Sequence, residues 1–99
     1  MPFEAKMPYG YKSIPMSIST EMLYAFAYVY EERMKQDEKW GQQNHDPLKW
    51  NAILGEEFGE VSKAILEGDV KNYREELIQL AAVAVAAIEN LDKSFNNSK

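Results

Sequence analysis

Apolar side chains recur at helical spacing three times along this chain. Met22, Leu23, Phe26, Ala27, Tyr30 and Met34 follow the i, i+3, i+4 rhythm of a first helix. Ser17 or Ser19 is placed to cap its start, and it should end near Trp40-Gly41, where a glycine suits a C-terminal cap. Gln42 to Asp46 is polar and reads as a loop. Asp46-Pro47 restarts the chain, with aspartate as N-cap and proline at the first helical position. The second helix is expected from Pro47 to about Glu67. At about 100° per residue, Trp50, Ile53, Leu54, Val61, Ala64 and Ile65 share one face. Leu66-Glu67-Gly68-Asp69 reads as a turn, and a third helix is expected from about Val70 to Leu91. From Leu77 to Ile88 that helix is apolar on every face except at Gln79. A helix apolar all round must be covered all round, which two other short helices can hardly do. A second subunit is therefore expected, and Ala81, Ala82, Ala84, Ala86 and Ala87 would let helices approach closely. No strand pattern is present. The expected fold is all-α: a helical hairpin plus an N-terminal helix, forming an oligomeric four-helix-type bundle as a homodimer or homotetramer.

Some polar residues break this pattern in an informative way. Glu57 projects from the middle of the apolar face of the second helix, with Glu60 at its edge and Glu56 a little beyond. A buried carboxylate costs several kcal/mol unless it is paired or bound to a metal. Glu60 lies eight residues before Gly68 and Glu76 eight after; Glu57 and Gln79 are each eleven away. If the flanking helices fold back on each other, Glu60 faces Glu76 and Glu57 faces Gln79. Three carboxylates and one amide then converge, an all-oxygen set that suits Mg²⁺ or Mn²⁺. The alternative is a buried acid paired with a base, with Arg33, Lys63 or Arg74 as the partner.

Composition narrows the chemistry. Ninety-nine residues make one small domain. Without cysteine there is no disulfide, zinc–thiolate site or thiol nucleophile, and the single histidine excludes sites that need two. Sixteen acids against eleven bases give a net charge of −5, which argues against nucleic-acid binding. The most apolar run is about half the ~20 residues of a membrane span, so no membrane association is expected. Residues 1–16, with Pro2, Pro8, Gly10 and Pro15, read as an extended arm without a secretory apolar region. Residues 17–92 form the domain and 93–99 a frayed tail. A cytoplasmic location is expected.

Glu56-Glu57-x-x-Glu60, followed by Glu76-x-x-Gln79, resembles the E-E-x-x-E … E-x-x-D signature of MazG-like nucleoside triphosphate pyrophosphohydrolases, in the all-α NTP pyrophosphatase superfamily. The stretch Glu32-Arg33 … Gln36-Asp37-x-Lys39-Trp40-Gly41 … His45 … Trp50 is similar to the lead-in of small members, many from phages. The resemblance covers about residues 20 to 92. It implies cleavage of the α–β phosphoanhydride of a (deoxy)nucleoside triphosphate, giving the monophosphate and pyrophosphate, with Mg²⁺ or Mn²⁺ as cofactor. On this basis Glu57, Glu60 and Glu76 are expected metal ligands, with Gln79 a weaker fourth in place of the family aspartate. Glu56 is expected to orient or deprotonate the attacking water, and Glu75 to be solvated. Lys63 and Arg33 are candidates to reach a phosphate, against a surface lysine and an Arg33–Asp37 pair as alternatives. Trp40 and Trp50 would stack on a base or pack in the core; His45 would contact a base or act as a local cap. The last helix of larger members would be missing here, or reduced to Asp92–Lys99.

Two other classes compete. Gln79 and the short C-terminus fit a non-catalytic oligomerisation or regulatory module on the same scaffold. A di-iron carboxylate bundle wants Glu-x-x-His pairs, which a single histidine cannot supply.

Overall fold

The computed structural model describes residues 17–97. Within them the chain forms α1 (Thr20–Trp40), α2 (Pro47–Leu66) and α3 (Val70–Asn97), and no strand. Each start has a side-chain cap. Ser19 Oγ accepts from the Met22 N–H at 3.1 Å, Asp46 Oδ1 from Lys49 at 2.9 Å, and Asp69 Oδ1 from Asn72 at 3.0 Å. Two stops rely on glycine in the left-handed region, where a side chain would be strained: Gly41 (φ 72°) and Gly68 (φ 68°). The Gly68 turn is closed by Gly68 N–H to Ile65 O and Asp69 N–H to Ala64 O, both 3.1 Å. It folds α3 back along α2 as a hairpin.

α3 is the central element. It packs on α2 along one side and on α1 along another, while no Cα of α1 comes within 8 Å of α2. The core is Trp50, Val61 and Ala64 from α2 with Ala82 and Val83 from α3. Burying each valine contributes about 1.5–3 kcal/mol. Polar ties hold the third helix and the loop in place. Arg33, only 8 % exposed, donates to Glu89 through Nε (2.8 Å) and Nη2 (3.1 Å), and to Asp37 through Nη1 (2.7 Å). Asn90 Oδ1 accepts from both the His45 backbone N–H and Trp50 Nε1, each at 2.7 Å. The first tie fixes α1 to α3; the second fixes the α1–α2 loop to α3.

The structure corrects two expectations, the end of α3 and the placement of Ile65. α3 continues to Asn97 rather than stopping at Leu91, so the segment read as a frayed tail is helical through that point. Ile65 is not on the buried face: it is exposed, while its neighbour Ala64 is fully buried beside the hairpin turn. The apolar positions of α1 are not buried in the single chain. Met22, Leu23, Phe26 and Tyr30 are all exposed, and the buried residue of α1 is Arg33. α3 also retains an uncovered face, on which Leu77, Ile88 and Leu91 are exposed. The arm over residues 1–16 lies outside the described residues.

Candidate functional site

Helical spacing sets Glu57 one turn from both Ile53 and Val61, so packing of the α2 face carries its carboxylate inward to a half-buried position. Burial pushes the Glu57 pKa up, and the charges of Glu76, Glu60, Glu32 and Glu56 push it further. Glu76, on the facing side of the hairpin, is raised first by burial and then by Glu60, Glu75 and Glu32. Glu57, Glu60 and Glu76 are thus linked by mutual repulsion through a shared electrostatic field. It has a member the motif did not indicate, Glu32 from α1. The Glu76 Oε1 atom is buried and has no hydrogen-bond partner. Such an atom bears its full desolvation cost until a cation or donor reaches it.

These residues fit a hard divalent cation by donor chemistry, since all are carboxylates, and the orphaned Glu76 oxygen is the atom most in need of one. They do not form a finished cage. Among the described residues no three of His, Cys, Asp or Glu are gathered tightly enough to hold an ion as placed. Closing on a cation would require the acids to change rotamer.

The remaining predicted residues divide. Gln79 lines a groove between α1 and α3 together with Glu32 and Glu75, on the side of α3 turned toward α1. Glu56 and Glu75 are exposed, as expected for Glu75. A cavity of about 280 Å³ beside the acids is lined by Arg33, Gln36, Asp37, Trp40, Gln43, Trp50, Ile53 and Glu57, among others. It thus brings Arg33, Trp40 and Glu57 together. Trp40 is 61 % exposed, with Lys39 Nζ over one face of its ring at 4.8 Å from the centroid. Trp50 is a core residue. Its ring meets His45 edge-on at 5.0 Å, and His45 Nε2 lies 3.3 Å from Gln43 Oε1. His45 thus acts as a local fastener of the loop.

Arg33 forms the Asp37 pair considered from sequence, plus the unforeseen bidentate pair with Glu89. Burial disfavours its charge, but hydrogen bonds to Asp37 and Glu89 outweigh that and hold its pKa above the ordinary value. Lys63 is exposed on α2 and lines neither the cavity nor the groove. Sequence reasoning missed Glu89 and Asn90. The available signal was two adjacent polar residues directly after the long apolar run of α3. Compared with models of protein families, with curated proteins and with solved structures, the chain matches none.

Proposed function

We propose that this protein hydrolyses a (deoxy)nucleoside triphosphate to the monophosphate and pyrophosphate, using Mg²⁺ or Mn²⁺ held by Glu57, Glu60 and Glu76 with Glu32 nearby. The observation carrying this reading is the buried, unpartnered Glu76 oxygen in the field of acids from α1, α2 and α3, with Glu57 lining the same cavity as Trp40. A divalent cation supplies positive charge to polyphosphate that a chain of net charge −5 would otherwise repel. The protein's own residues do the rest. Trp40 offers a ring face to the base. Glu56, exposed beside Glu57, accepts the proton of a water whose oxygen bonds to the α-phosphorus. The α–β bridging oxygen departs with pyrophosphate.

The active form is proposed to be a homodimer or homotetramer. The support is the exposed apolar stripe of α1 and the uncovered face of α3 carrying Leu77, Ile88 and Leu91. A second reading, a non-catalytic oligomerisation or regulatory module, is favoured by the open arrangement of the acids. Incubating the protein with a panel of (d)NTPs and Mg²⁺, with pyrophosphate as the readout, separates the two. Release that is lost in Glu57→Gln supports the hydrolase; no release from any (d)NTP supports the module.

A further inference from the structure

A polyphosphate chain needs cationic or N–H donors as well as a metal, and of the two bases expected for it one is already paired and the other lies elsewhere. Arg33 is engaged by Asp37 and Glu89. Lys63 lines neither the cavity nor the groove. Two other cations, Lys35 and Arg74, line a groove on the α1 side of α3. The groove between α1 and α3, about 360 Å³, is lined by Tyr28, Glu32, Lys35, Arg74 and Gln79, among others. Glu32 is its α1 wall, and Glu75 and Gln79 of its α3 wall flank Glu76 along the helix, so the groove adjoins that acid.

Arg74 is held there by an aromatic ring. Its guanidinium carbon lies 4.6 Å from the Tyr28 ring centroid, within cation–π range. Stacking fixes the plane of the guanidinium and leaves its edge N–H groups free to donate as a fork. Among the described residues no carboxylate is ion-paired with Arg74. Lys35 has only a long contact of 3.9 Å with Glu31, both side chains being well exposed, a pair that is readily exchanged for a better anion. Gln79, on the same wall, adds amide N–H donors where a carboxylate would repel.

We propose that Arg74, assisted by Lys35 and the Gln79 amide, binds the pyrophosphate portion of the substrate. These residues would grip the β- and γ-phosphates before cleavage and the pyrophosphate after it. The role in turnover rests on the hydrolase reading; the binding site itself does not. Glu31, Glu32 and Glu75 against Lys35 and Arg74 leave the groove at a net −1. Pyrophosphate should therefore enter only when a divalent cation balances the acids.

Titration calorimetry of inorganic pyrophosphate into the full chain, with and without Mg²⁺, tests this. Wild type should bind in Mg²⁺ and not in EDTA. Arg74→Ala should weaken binding about tenfold or more, the scale of a lost charge-assisted fork, and Arg74→Lys should fall between. Lys35→Ala should weaken it a few-fold by about one exposed charge, and Gln79→Glu should weaken it too. If Arg74→Ala is misfolded by circular dichroism, Arg74→Lys and Tyr28→Leu decide the matter. Absence of binding by wild type at millimolar Mg²⁺–pyrophosphate, or equal binding by the folded Arg74 variants, overturns the proposal. Arg74-dependent binding by a protein that hydrolyses no (d)NTP would keep the groove and remove the hydrolase reading. Hydrolysis together with Arg74-independent binding would do the reverse.

Discussion

Deleting the carboxylate of Glu89 should destabilise this protein more than its surface position suggests. The Arg33 side chain is 10 % exposed, whereas those of Glu89 and Asp37 are 41 % and 43 % exposed. Glu89→Ala strands the buried partner, which loses two of its three hydrogen bonds. Hydrogen bonds to charged groups contribute about 1.5–3 kcal/mol each. Half-exposed carboxylates are partly screened, so a net loss of about 2 kcal/mol is expected. For a domain of this size that lowers Tm by about 8–16 °C. Arg33→Met reverses the situation: the stem volume is kept, and the carboxylates left behind are within reach of water. It should cost about 1 kcal/mol, and the double variant should cost less than the sum by about 1–2 kcal/mol. Urea unfolding of the four proteins at one protomer concentration closes the cycle. A Glu89→Ala loss under about 0.5 kcal/mol, or strict additivity, would refute the clamp between α1 and α3.

Further outcomes follow from the same geometry. Glu57 and Glu76 are both raised above the ordinary value of 4.5, so the native protein holds more protons than the unfolded chain just above that pH. This contribution to the stability of the metal-free protein should therefore fall as pH rises from 4.5 through the raised values, and be flat below. Thermal melts in EDTA should show the decline, reduced in Glu57→Gln; an identical pH profile for that variant would remove Glu57 from the cluster. Mg²⁺ should raise the wild-type Tm, by about 2.7 kcal/mol of stability at a hundredfold excess over Kd, and most of that gain should vanish in Glu57→Gln. Sedimentation should show a dimer or tetramer at micromolar concentration, shifted toward smaller species by Ile88→Lys on the uncovered α3 face. A stable wild-type monomer would contradict the assembly.

The parts of this fold legible in the sequence are those set by neighbours in the chain. Caps at Ser19 and Asp46, the glycine stops at Gly41 and Gly68, and the inward position of Glu57 all follow from spacing within one helix or turn. The α2–α3 hairpin was also legible, because the short turn at Gly68 folds one helix back along the other. What was not legible depends on how α1 crosses α3. Arg33 and Glu89 are joined across 56 positions, and no periodicity announces that contact. The same crossing brings Glu32 to the acids, stacks Arg74 on Tyr28, and turns Gln79 toward α1. α3 outran its expected end because Asp92 to Asn97 lacks a glycine or proline stop, and its polar composition was read as fraying.

Turnover in ¹⁸O-labelled water, with mass analysis of both products, tests the central claim most directly. The account predicts divalent-cation-dependent cleavage of a (d)NTP, with the label in the nucleoside monophosphate and none in pyrophosphate. Label in orthophosphate or pyrophosphate, or no turnover of any (d)NTP with either Mg²⁺ or Mn²⁺, would contradict it.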